Sequence, residues 1–119
     1  MDITKFQAIN ATRAKCWHHN DKNNWNLLEW AGAMCGEAGE AANVAKKIRR
    51  LEMELPNKLA GLDINNYPEL RFQLGREVAD TIIYGLIIMS ELGLDSSAVL
   101  TNVFNKKSTE YGFPERAPE

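Results

Sequence analysis

Arg76-Glu77-Val78-Ala79-Asp80-Thr81-Ile82-Ile83-Tyr84-Gly85-Leu86-Ile87-Ile88-Met89 is the stretch whose reading decides the fold. From Thr81 to Met89 it carries no charge. Val78, Ile82, Ile83, Leu86, Ile87 and Met89 wrap much of a helix's circumference, and such a helix needs covering on every side. Glu77 and Asp80 stand at spacing i, i+3, so both carboxylates share one helix face about a turn apart. They therefore sit at the edge of a core, where carboxylates are rarely left unpaired.

The same spacing occurs forty residues earlier, in Gly36-Glu37-Ala38-Gly39-Glu40-Ala41-Ala42-Asn43. One such pair on a helix is a solvated face roughly nine times in ten. Two pairs in alanine- and isoleucine-rich surroundings are a stronger signal. Four converging carboxylates repel one another unless a cation sits between them. An oxygen-only ligand set suits a hard divalent ion, above all Mg²⁺, with Mn²⁺ able to substitute. Gly36 and Gly39 each cost about 1 kcal/mol relative to alanine in a helix interior. Close helix packing, or packing beside a metal or phosphate, would supply the reason for them.

No segment alternates as a strand should, so the reading is all-α. Asp2 or Thr4 caps a first helix that runs to about His19. Asn20 to Asn24 is a polar turn cluster. A second helix runs from about Asn26 to Leu55 on apolar spacings of three and four, and Pro56 ends it. Residues 57–68 read as a loop with at most one short turn. Pro68 then opens a third helix, which Gly93 stops near Leu92. Asp95 or Ser96 caps a fourth helix ending near Tyr111 and Gly112. The count is four to five helices in a single domain spanning residues 1–119. Three partner helices in so small a chain do not cover the third, and self-association into a bundle would complete its burial.

The two acidic motifs together resemble the all-α nucleoside triphosphate pyrophosphohydrolases, the superfamily of MazG, the dimeric dUTPases, the phosphoribosyl-ATP pyrophosphohydrolases and the dCTP pyrophosphatases. Gly36-Glu37-Ala38-Gly39-Glu40 is similar to the family's first signature, and Glu77 through Tyr84 to its second. Asn105-Lys106-Lys107, with Tyr111 and Pro114, is similar to its C-terminal basic element. The resemblance spans about Asn26 to Pro114, although the stretch between the two acidic motifs is longer than in most members. It implies a MazG-like domain that assembles as a homodimer or homotetramer. It further implies a Mg²⁺-dependent enzyme that cleaves a (d)NTP to (d)NMP and pyrophosphate, as in nucleotide-pool house-cleaning. Glu37, Glu40, Glu77 and Asp80 would be the metal ligands and catalytic acids. In-line attack of water on the α-phosphorus would release pyrophosphate, with Glu37 or Glu40 as general base.

By the same resemblance Tyr84, Asn105 and Lys106 would contact phosphate. The bland alternatives are a core aromatic for Tyr84 and favourable helix-end electrostatics for Lys106. Trp25, His18 and Trp30 crowd the region before the first acidic motif and are the candidate base contacts. The alternative is that the indoles simply pack the first helix against the second.

Composition narrows the field further. At 119 residues and 45% hydrophobic content, the chain is large enough for one core. Net charge is −2, from 14 basic and 16 acidic residues, which gives no reason to expect a nucleic-acid partner. The longest uncharged apolar run is too short to span a bilayer, so no membrane partner is expected. Cys16 and Cys35 have no metal spacing and read as reduced thiols of a cytoplasmic protein. A di-iron site would need glutamate–histidine pairs at i, i+3, and neither His18 nor His19 follows a glutamate by three. Two alternatives stand beside the main reading. One is a phosphoribosyl-ATP or dUTPase-type enzyme of the same superfamily. The other is a helical regulatory module without catalysis.

Overall fold

The computed structural model describes residues 1–17, 25–54 and 67–118. Among these it contains four helices and no strand: α1 (Ile3–Trp17), α2 (Leu27–Glu54), α3 (Tyr67–Glu91) and α4 (Ser96–Tyr111). The expected starts of the four helices and the expected ends of α3 and α4 hold to within a residue or two, whereas the expected ends of the first two helices, near His19 and Leu55, lie outside the described residues. The polar turn at Asn20–Asn24 and most of the expected loop lie outside the described residues. No single described helix is long and apolar enough to cross a membrane. The backbone groups into two units, one of residues 28–85 and one of residues 1–27 with 86–119.

In the second of these units, Asp2 is the cap of α1. Its Oδ1 accepts from the backbone N–H of Thr4 at 2.9 Å and of Lys5 at 3.2 Å. These are two of the donors that the first helical turn leaves without intrahelical partners. Asp95 caps α4 in the same way, accepting from Ser97 N at 3.4 Å. The hydroxyl of Thr4 donates to Asp95 Oδ1 at 3.0 Å and ties the two helix starts together. Gly93 ends α3 with φ at +68°. Leu94 N donates to Met89 O and Gly93 N to Ser90 O, a Schellman closure that favours glycine at the left-handed position. Gly112 closes α4 by the same pair of bonds, to Ser108 O and Thr109 O.

Gln7, 7% exposed, fastens α1 to the α3–α4 turn. Its amide donates to Ser90 Oγ at 3.1 Å and to Leu94 O at 2.8 Å. Its carbonyl accepts from Ser96 N at 2.9 Å, satisfying the first orphan donor of α4.

The other unit is built from α2 and α3 as far as Gly85. On α2, Trp30, Met34, Glu37, Ala41, Val44, Ile48 and Leu51 repeat at alternating spacings of four and three, and all are buried or half-buried. On α3, Leu70, Leu74, Glu77, Thr81 and Tyr84 repeat the same way and are half-buried. Such a repeat is the seam of a helix pair. Tyr67 near the start of α3 donates to Glu52 Oε1 near the end of α2 at 3.2 Å. At the opposite end Trp30 meets Tyr84. The two helices are therefore antiparallel, with the acidic motifs midway along the seam.

Two expectations about packing are corrected. A Cβ added at Gly36 or Gly39 would meet nothing within 4 Å, so no tight helix contact explains either glycine. At Gly85 a Cβ would lie 3.6 Å from Met34 Sδ, an ordinary van der Waals contact. Ile87 is 1% exposed and needs no second chain to cover it. Val78 and Ile82, by contrast, are 45% and 52% exposed.

Candidate metal centre

The antiparallel pairing sets the first acidic motif of α2 against the second on α3. Glu37, Glu40 and Glu77 each offer a carboxylate oxygen, and these oxygens all lie within 4.8 Å of one another. Glu37 and Glu77 occupy seam positions and are half-buried, whereas Glu40 and Asp80 flank the seam and are exposed.

Electrostatics register the crowding. The Glu37 carboxyl is pushed up from 4.5 to about 7. Burial is the largest cause, followed by a side-chain hydrogen bond with Glu77, the charges of Glu40 and Asp80, and a hydrogen bond with Glu40. A hydrogen bond between two carboxyl groups requires a proton on one of them. Without a cation, that proton relieves the repulsion near neutral pH. A hard cation could replace it on the same oxygen donors. An oxygen-only donor set of this kind could hold Mg²⁺ or Mn²⁺ on Glu37, Glu40 and Glu77, with the charge of Asp80 acting on the same cluster.

Tyr84 lies one helical turn beyond Asp80. Its phenol is raised above the ordinary tyrosine value by burial first, then by the charges of Glu37 and Asp80. Those two charges place the phenol in the field of the acidic cluster. Trp30 packs against Tyr84, with ring centroids 6.0 Å apart and a tilt of 41°. At 4% exposure, Trp30 leaves no open indole face for a nucleobase, which departs from the expectation that it stacks on one.

Trp25, Asn105 and Lys106, expected site residues too, belong to the other unit. Trp25 is half-buried, and Lys106 is exposed beside a shallow groove of about 440 Å³ lined also by Val99, Asn102, Val103, Lys107 and Glu110. Asn105 is engaged by the C-terminal tail: its Oδ1 accepts from Ala117 N at 2.8 Å. Arg116 reinforces the same tail, donating to Phe113 O, Glu115 O and Thr109 Oγ1. His18 lies outside the described residues.

The contact between Trp30 and Tyr84 went unread in the sequence, as did the place of Glu37 in the seam. The alternating repeat from Trp30 to Leu51 carries the signal for the second, since Glu37 takes a position otherwise held by apolar residues. No protein-family model matches the chain, and neither a curated protein nor a solved structure matches it.

Proposed function

We propose that this chain is a divalent-cation-dependent nucleotide pyrophosphohydrolase of the MazG-like all-α type, converting a (d)NTP to (d)NMP and pyrophosphate. One observation carries the reading. Carboxylates from two motifs forty residues apart converge within 4.8 Å, in the seam of one helix pair. Glu37, Glu40 and Glu77 would hold Mg²⁺, with Asp80 at the flank. A cation bound there would neutralise phosphate oxygens and lower the pKa of water in its shell.

The chain's own groups then do the rest. Glu37, half-buried, accepts the proton from the attacking water on the carboxylate oxygen that it does not give to the cation. The new bond forms between that water oxygen and the α-phosphorus, and the bridging bond to the β-phosphate breaks. Tyr84 donates its phenolic hydrogen to a phosphate oxygen. Glu40, exposed beside the pair, would add a ligand at the mouth of the cluster.

The apolar surface supports self-association. Phe72, Val78 and Ile82, with Gly75 and Ala79, are exposed on α3 and fall within about 120° of arc at 100° per residue. A second copy is the proposed cover, as a homodimer or a higher assembly.

The deciding experiment measures pyrophosphate release from a panel of ribo- and deoxynucleotides with and without Mg²⁺. Cation-dependent pyrophosphate release from at least one nucleotide is expected. Orthophosphate as the product would overturn attack at the α-phosphorus. No product from any nucleotide would favour a helical regulatory module.

A further inference from the structure

We infer that Trp30 is a positioning residue, which fixes the Tyr84 ring beside the acidic cluster from behind. The inference rests on the proposed function for its kinetic consequence, and on geometry alone for its structural one.

Side chains on a helix tilt toward the helix N-terminus. Tyr84 therefore leans back along α3 toward Asp80 and Glu77. Trp30 leans along α2 away from Glu37, which lies C-terminal to it on the same helix, and the antiparallel pairing makes the two rings lean in opposite directions. The indole thus stands on the side of Tyr84 remote from the carboxylates. Its ring centroid is 6.0 Å from that of Tyr84 at a tilt of 41°, within the range in which aromatic pairs attract. Trp30 is 4% exposed, so its rotamer is locked, while Tyr84 is half-buried. A locked ring behind a half-exposed one selects a single orientation of the phenol. The nearby charges of Glu37 and Asp80 act on the phenol so held. Gly85, next to Tyr84, faces Met34, whose Sδ would stand in ordinary van der Waals contact with a Cβ there, at 3.6 Å.

The test uses the full chain and three variants. Trp30→Leu keeps an apolar filling without a ring face, Trp30→Phe keeps a ring, and Tyr84→Phe removes the hydroxyl. With a nucleotide that the native chain hydrolyses, Trp30→Leu should raise KM by up to about tenfold, the factor matching the upper end of an aromatic pair's contribution. Mn²⁺ affinity, read by electron paramagnetic resonance, should stay unchanged, and Trp30→Phe should restore most of the KM. If Trp30 acts through the phenol, Tyr84→Phe should have a smaller effect in the Trp30→Leu background than alone. Additive effects, or a lowered melting temperature with unaltered KM, would make Trp30 a core residue only and overturn the inference. A readout independent of activity is the ring-flip rate of Tyr84 by NMR, with ring-labelled tyrosine and Tyr84→Phe for assignment. Trp30→Leu should speed the flips, and flips unchanged in that variant would also overturn it. If no nucleotide is hydrolysed, the proposed function fails while the NMR comparison still decides the role of Trp30.

Discussion

Glu37 is where the chemistry of this chain concentrates. Its carboxyl is raised from 4.5 to about 7, mainly by burial and then by Glu77 and the neighbouring charges. Between those two pH values the folded chain holds a proton that the unfolded chain has released. The folded state then binds more protons than the unfolded one, so the slope of stability with pH is negative. Metal-free protein should therefore lose stability as pH rises from about 4.5 through about 7, read from urea unfolding in chelator. Glu37→Gln should flatten that profile. A profile as steep in the variant as in the native chain would remove Glu37 as its source. Protons and cation compete for the same oxygens, so Mg²⁺ should raise the melting temperature more at pH 8 than at pH 6. Catalysis is more sensitive still. Glu37→Gln should lower turnover by about a hundredfold or more if it removes the general base. An unchanged helical CD spectrum would show that the loss is not unfolding, and normal turnover would pass the role to Glu40.

The helices themselves are held by caps at their ends and by a few long-range polar bonds. Gln7 is the clearest case: one side chain joins α1 to Ser90, Leu94 and Ser96. Gln7→Ala would leave Ser96 N and Leu94 O without these partners; Ser96 is fully buried, and leaving its N–H unsatisfied should cost about 1–3 kcal/mol. Gln7→Glu keeps an acceptor for Ser96 N but sets a carboxylate against the carbonyl of Leu94, and should also destabilise. Chemical denaturation measures both, and a loss under about 0.5 kcal/mol for Gln7→Ala would mean that water replaces the amide readily. Asp95→Ala removes the cap of α4 and its bond from Thr4, and should cost about 1 kcal/mol. These are effects on stability, and turnover of the surviving folded fraction should not change with them.

For the molecule as a whole, the surface of α3 is the outstanding physical problem. Phe72, Val78 and Ile82 expose 69%, 45% and 52% of their surface on one face. A second copy laid on this face would take that apolar surface out of water. Sedimentation at micromolar concentration should show at least a dimer. Ile82→Lys should shift it toward monomer while leaving the helix content intact, since Ile82 is not needed to bury the seam. A native chain that sediments as a monomer would sink the assembly reading.

Much of this was legible along the chain, because caps, glycine stops and helix-face periodicity depend on residues a few positions apart. Asp2, Gly93, Asp95 and Gly112 set helix ends through bonds to their own neighbours. The i, i+3 spacing by itself puts Glu37 beside Glu40 and Glu77 beside Asp80. What lay beyond the sequence was which distant surfaces meet. The place of Glu37 in the seam, the burial of Trp30 against Tyr84 and the reach of Gln7 to Ser90 depend on the register and direction of packed helices. Register is set by the summed burial of a whole seam, a quantity that no short stretch encodes. The same summation buried Ile87 within the chain and left Ile82, five residues earlier on the same helix, facing outward.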